Sequence, residues 1–171
     1  MKNFKFCPFC RTELVSAVME GRQRLVCPGC SWVNYRNPLP VVSCLVPGPD
    51  RDILLIKRGI EPSKGEWALP GGFLELEESP EEAGRRELKE ETGLDGVVVG
   101  QVGVTTHLSP MYGHLLMIGL EYRVDSYNAV AGDDAEEARF FGISGLPSIP
   151  FPSHMKLISQ FLKSRKDSKF S

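Results

Sequence analysis

Three glutamates in the run Arg86-Glu87-Leu88-Lys89-Glu90-Glu91 are spaced for metal chemistry. On an α-helix Glu87 and Glu91 lie about 40° apart, and Glu90 lies about 60° from Glu87 on the other side. Left alone, such carboxylates repel each other; around divalent cations they become oxygen ligands. Arg86 is the i,i+4 partner of Glu90 and can hold the acidic edge in place. A second group of candidate ligands stands upstream, as Cys7-x2-Cys10, sixteen intervening residues, and Cys27-x2-Cys30. That spacing suits a four-thiolate zinc site, each short pair offering two sulfurs to one tetrahedral Zn²⁺. All four positions are then filled by protein, which makes the metal structural. The competing reading, two disulfides, is disfavoured in a reducing cytosol. Cys44 sits in an apolar run and reads as a buried strand residue.

The helix that must carry the glutamates is well specified. Ser79 can cap it, Pro80 occupies its first position, and Glu82 completes a capping box. Gly93 supplies a left-handed stop, so the helix is expected over Pro80–Thr92. Gly84 and Leu88 share a neighbouring face suited to a sheet. Gly84 costs about 1 kcal/mol relative to Ala in a helix interior, which points to close backbone approach there. Strands are expected at 41–46, 53–57, 97–106, 114–124 and 138–143, a loop at 58–67, and a last helix at about 153–166. Before them, RTELVSAVMEGRQRLV reads as two strands around Glu20-Gly21, a hairpin too small to stand without metal. Asn37-Pro38-Leu39-Pro40 reads as a boundary. The division expected is a zinc-held β unit at 1–37, an α/β domain at 38–166, and a basic tail at 167–171.

With 171 residues, 42% apolar and 25% charged, the chain is globular and suits one ordinary domain plus a small appendage. No stretch reaches the roughly 18 apolar residues of a membrane span. The start, MKNFKFCPFC, has no apolar signal core, so a cytoplasmic product is expected. Residues 1–40 carry +4, residues 153–171 carry +4, and residues 41–152 carry −10. An acidic centre collects divalent cations and is a poor nucleic-acid platform.

The stretch Gly72-x5-Glu78-x7-Arg86-Glu87-Leu88-x-Glu90-Glu91-x-Gly93-Leu94 is similar to the complete Nudix box. The resemblance to Nudix hydrolases implies an α/β/α sandwich with mixed sheet, and Mg²⁺- or Mn²⁺-dependent hydrolysis of nucleoside diphosphates linked to another moiety. It implies Glu87 and Glu91 as principal metal ligands, Glu90 as a further ligand or supporting group, and the Gly71 carbonyl as completing the site. Arg86 and Glu78 would organise loop and helix. In some relatives a Glu near the last core strand takes the proton. Glu136 and Glu137, expected just before that strand, are the candidates here, with Glu137 preferred. Arg58, at the end of a strand leading to the cleft, is a candidate phosphate contact. Trp67 reads as packing.

The cysteine pairs around the early hairpin resemble the zinc-ribbon family, although Arg11 and Ser31 stand where such knuckles favour Gly. The whole chain resembles the small zinc-ribbon Nudix hydrolases, related to NADH pyrophosphatases and to hydrolases of ADP-ribose and FAD. YRNPLPVVSCLV, KRGIEPSKGEWALPGGF and IPFPSH carry that wider likeness. The NADH pyrophosphatase signature SQPWPFPxS is absent; the region reads QVGVTTHLSPMYGH. Pro110 stands sixteen residues after Leu94, the spacing associated with ADP-ribose hydrolases, and Tyr112 resembles a marker of dinucleoside polyphosphate hydrolases. The resemblance therefore implies ADP-ribose or a related ADP-X such as FAD, with a homodimer common among relatives. The alternatives are an NADH/NAD pyrophosphatase or NAD-RNA decapping enzyme, and a nucleic-acid-binding regulator with a Nudix-like sensor domain.

Overall fold

The computed structural model describes residues 4–50 and 52–167; of the basic tail expected at 167–171, residues 168–171 lie outside the described residues. The chain divides into two compact units between Pro38 and Leu39.

In the first unit β1 (Val15–Met19) and β2 (Arg22–Val26) form an antiparallel hairpin, and β3 (Val33–Asn34) pairs with β2. Glu20 and Gly21 turn the hairpin with φ of 53° and 74°, the left-handed conformation a tight two-residue turn needs. Two knuckles repeat one backbone design. Cys7 N–H donates to Thr12 O and Arg11 N–H to Cys7 O; Cys27 N–H donates to Trp32 O and Ser31 N–H to Cys27 O. Arg11 and Ser31 take φ of 61° and 62°, so non-glycine residues fill the positions where glycine would be unstrained. The buried apolar core is Cys7, Leu14 and Cys27, with Leu25 and Trp32 against it. Such a core is too small to hold the unit unaided.

The second unit runs β4 (Leu39–Leu45), β5 (Asp52–Arg58), β6 (Trp67–Ala68), α1 (Pro80–Thr92), β7 (Gly96–Ser109), β8 (Gly113–Val124), β9 (Ala135–Gly142) and α2 (Pro152–Asp167). One sheet is β4-β8-β7, mixed because β4 is parallel to β8 while β7 is antiparallel to it. The other is β6-β5-β9, antiparallel throughout. Successive strand residues point to opposite faces. Val42, Cys44, Val46 and Leu54 pack with Ala83 and Leu88 of α1. Val41, Leu45, Ile53 and Leu55 pack with Leu157, Ile158 and Phe161 of α2. Both faces are covered, which is why these strands read as unbroken apolar runs. The result is an α/β/α sandwich.

Helix α1 has the expected bounds and caps. Ser79 accepts Glu82 N–H, Glu82 closes the capping box, Pro80 opens the helix, and Gly93 ends it at φ 68°. A Cβ at Gly84 would stand 2.2 Å from Tyr122 Oη and 3.1 Å from Val42 Cγ2, so the helix lies directly on the sheet there. Cys44, fully buried, donates its thiol to Gly84 O at 3.2 Å. Three features of the strands differ from expectation. Trp67–Ala68 pairs with β5, a two-residue strand set by a distant partner rather than by local pattern. The β7–β8 hairpin extends to Ser109 and Gly113. β9 starts at Ala135, so Glu136 and Glu137 lie within the strand and not before it, across a bulge opposite Lys57 and Arg58.

Candidate active site

The segment around Gly71 and Gly72 runs beside β4, with Val42 N–H donating to Gly72 O at 2.9 Å and Cys44 N–H to Pro70 O at 2.8 Å. Gly71 has φ 142°, and a Cβ there would lie 2.1 Å from Val42 O. No side chain fits. A Cβ at Gly72 would lie 2.3 Å from Glu87 Oε1, so the two glycines let the acidic edge of α1 meet the backbone.

Glu91 is only 4% exposed, and its Oε2 accepts the Gly71 N–H at 2.8 Å. Burial pushes its carboxyl up to about 8, opposed by the Gly71 N–H and reinforced by the charge of Glu87. Burial raises Glu87 as well, against the pull of Arg86. Arg86 is the hub of this edge. It grips Glu78 with two bonds of 2.7 and 2.9 Å, Glu87 Oε1 at 2.7 Å, Glu90 Oε2 at 3.2 Å, and Phe73 O at 3.1 Å. The guanidinium holds the Glu78 carboxyl down at about 2. Loop and helix are thereby tied together through one planar cation, a geometry that Lys cannot reproduce.

Glu87 and Glu91 line a cleft of about 590 Å³, which Gly71, Arg58, Pro110 and Tyr112 also line. Tyr112 packs edge-on against Phe73, with ring centroids 5.0 Å apart, so the hairpin turn holding Pro110 is braced against the glycine segment. Glu90 and Glu137 are not among the lining residues. Glu137 bonds Lys57 Nζ at 3.0 Å and pairs with Arg139, and these cations, Lys57 first, lower its pKa. Glu136 pairs with Lys64 at 3.7 Å. Asp134, just before β9, does line the cleft, and its charge raises Glu91. Its backbone is set by Gly59 N–H donating to Asp134 O at 2.6 Å, while Gly132 N–H bonds Glu91 O at 3.1 Å. Sequence reasoning passed over Asp134 because the expected strand began three residues too late. Ser153 and His154 of α2 line the same cleft, and IPFPSH was their only signal. Trp67 packs on Phe141 at 4.7 Å.

Cys7, Cys10, Cys27 and Cys30 bring their sulfurs within 4.8 Å of one another, the one such group of three or more potential ligands among the described residues. All are free thiols, with Cys7 and Cys30 sulfurs 3.6 Å apart and those of Cys10 and Cys27 3.3 Å apart. A disulfide needs about 2.05 Å. Tetrahedral Zn–S bonds of about 2.3 Å place sulfurs about 3.8 Å apart, so the donor set fits zinc. No helix among the described residues is long and apolar enough to cross a membrane.

Residues 37–160 match the family model described as NUDIX domain, and residues 5–36 match the one described as Nudix N-terminal. An ADP-ribose pyrophosphatase from Methanocaldococcus jannaschii is 42% identical over 132 residues, covering 75% of this chain and 76% of that protein. The NAD-capped RNA hydrolase NudC of Deinococcus radiodurans is 30% identical over 168 residues, 94% of this chain but only 58% of that longer protein. Among solved structures, a NUDIX hydrolase from Nitrosomonas europaea superposes with a TM-score of 0.79 at 28% identity, covering 96% of this chain and 93% of that one.

Proposed function

This chain belongs to the NUDIX-domain family, and from that premise we propose that it hydrolyses the pyrophosphate bond of ADP-ribose or a related ADP-X such as FAD. The observation that carries the reading is Glu91, a carboxylate 4% exposed in the wall of the cleft, with no ion pair among the described residues. A buried acid with one backbone hydrogen bond and no paired cation is destabilising, and a bound divalent cation turns it into a ligand. Glu87, Glu91 and the Gly71 carbonyl would hold Mg²⁺ or Mn²⁺, with Glu90, which Arg86 holds outside the cleft lining, as a supporting group. Bound metal supplies neutralisation of phosphate charge and a water of lowered pKa.

The chain's own residues do the rest. Arg86 fixes the rotamers of Glu87 and Glu90 and, through Phe73 O, the position of the glycine segment. Arg58 brings positive charge into the cleft toward a phosphate. Asp134 is the better proton acceptor than Glu137: it lines the cleft, whereas Glu137 is engaged by Lys57 and Arg139. Pro110 and Tyr112 form the turn beside the moiety beyond the pyrophosphate.

The 42% identity to an ADP-ribose pyrophosphatase over most of both chains supports ADP-ribose. A second reading, NADH or NAD-capped RNA, draws on the NudC likeness, which spans both units of this chain. The four clustered cysteines, all free thiols, support a zinc ribbon in a reducing, cytoplasmic setting. β7 is an edge strand without a Lys, Arg, Asp or Glu, which supports a homodimer. The test is product analysis with Mg²⁺ or Mn²⁺ in ¹⁸O-water: equimolar AMP and ribose 5-phosphate, with label in one of them, is expected. No turnover of any pyrophosphate-linked nucleotide would contradict the proposal.

A further inference from the structure

The first turn of α2 is the part of the cleft that the hydrolytic site leaves unused. Pro152 opens this 16-residue helix without an N–H, and Met155 N–H donates to Phe151 O at 3.2 Å, so the Ser153 and His154 N–H groups are the two that lack partners within the helix, at the positive end of its dipole. Ser153, in that turn, is 4% exposed, lines the cleft, and has a buried Oγ with no hydrogen-bond partner. A hydroxyl buried without a partner destabilises the free protein and is satisfied when a ligand reaches it.

His154 follows it. Its Nδ1 accepts the Leu69 N–H at 3.0 Å, and its ring stands 5.0 Å from that of Phe151. Because Nδ1 accepts, the neutral ring carries its proton on Nε2, and no bond from Nε2 to another described residue occurs. Burial, with the charges of Arg58 and His107, holds the imidazole down to about 3, so it is a fixed donor and not a base. Arg58 lies 5.8 Å over the Phe151 ring and donates Nε–H to Pro62 O at 2.8 Å. The groups gathered here are donors under positive potential, the chemistry that takes phosphate oxygens.

Their distance from the acidic edge is bounded. Leu69 N–H donates to His154 at 3.0 Å and Gly71 N–H to Glu91 at 2.8 Å; two residues of chain span at most about 7 Å, so His154 Nδ1 and Glu91 Oε2 are at most about 13 Å apart. That is the reach of the phosphate and sugar next to a metal-bound phosphate.

We propose that the first turn of α2 is a second subsite of the cleft, in which Ser153 Oγ and His154 Nε2–H, beside Arg58, hold the phosphate of the sugar-monophosphate half of the substrate. The identity of the ligand rests on the hydrolase reading; the subsite itself is tested by binding, without turnover.

The experiment is calorimetric titration of the full chain, with Mg²⁺ present, using ribose 5-phosphate, inorganic phosphate and unphosphorylated ribose. Wild type is expected to bind ribose 5-phosphate, to bind phosphate competitively with it, and not to bind ribose. Ser153→Ala should keep or raise Tm, because the hydroxyl satisfies nothing in the free protein, yet weaken ribose 5-phosphate about tenfold. His154→Asn keeps an acceptor for Leu69 N–H but withdraws the Nε2 donor, and should weaken it similarly. His154→Gln, with an amide nitrogen near the Nε2 position, should recover most of the loss. Unchanged ribose 5-phosphate affinity in Ser153→Ala and His154→Asn, or no binding to wild type, overturns the subsite. Ribose binding that Ser153→Ala weakens as much overturns its assignment to phosphate. Ribose 5-phosphate binding that does not depend on Ser153 or His154, in a protein that turns over ADP-ribose, condemns the inference alone; binding that depends on Ser153 in a protein that does not turn over condemns the reaction alone.

Discussion

Glu91 Oε2 accepts the backbone N–H of Gly71 at 2.8 Å, which joins the acidic edge of α1 to a backbone position where no side chain fits. The neighbouring glycines make different demands, and substitution separates them.

At Gly71 a Cβ would meet the Val42 carbonyl at 2.1 Å, and φ 142° is foreign to L-residues. Backbone cannot yield easily, so Gly71→Ala should lose about 3 kcal/mol or more of stability. At Gly72 the obstacle is the Glu87 carboxylate at 2.3 Å, the end of a flexible side chain. Gly72→Ala should therefore fold nearly as well as wild type but displace Glu87 and lose most activity. Denaturant melts beside turnover assays check both; equal stability losses would contradict the distinction.

If Glu87 and Glu91 hold the proposed metal, Glu87→Gln and Glu91→Gln should each lower turnover by about three orders of magnitude, since loss of a ligand removes several kcal/mol of transition-state stabilisation. Both should stay folded. The folded Glu91 carboxyl, at about 8, stands above its ordinary 4.5, so folding favours the protonated form. Its contribution to the stability of metal-free protein is full below about 4.5 and falls as pH rises through about 8. Glu91→Gln should flatten that limb in denaturant midpoints followed against pH.

Glu78 runs the other way. Arg86 holds it at about 2, below its ordinary 4.5, so its stabilising contribution is full above about 4.5 and disappears as pH falls toward 2. Glu78→Gln should reduce stability at neutral pH and flatten the acid limb. Arg86→Lys should resemble it, since one ammonium cannot hold Glu78 with two parallel bonds.

If the four cysteines hold zinc, metal analysis should find close to one Zn per chain and no disulfide. Cys7→Ser and Cys27→Ser remove the two buried ligands and should abolish the dispersed amide resonances of residues 5–36, because metal binding supplies the folding energy of so small a core. Full dispersion without zinc would contradict this.

The helix and the sandwich were legible because their signals are local. Ser79, Pro80, Glu82 and Gly93 state the ends of α1, and the apolar runs of β4 and β5 state burial on both faces. Gly84 announced the close approach that Tyr122 and Val42 make. What was not legible depends on distant partners. β6 exists only through pairing with β5, and β9 reaches back to Ala135 because β5 continues opposite it. That extension draws Glu137 into an ion pair with Lys57 and leaves Asp134 at the cleft. The tautomer of His154 is fixed by a backbone N–H 85 residues away, which no spacing rule reveals.

Substrate choice is read from kcat/KM of wild type for ADP-ribose, FAD and NADH, with Mg²⁺ and with Mn²⁺. Contacts along the Pro110–Tyr112 turn and the first turn of α2 need supply only a few kcal/mol of differential transition-state binding to discriminate among them. The highest value is expected for ADP-ribose or FAD, abolished by omitting divalent metal. A clearly higher value for NADH than for both would contradict that choice.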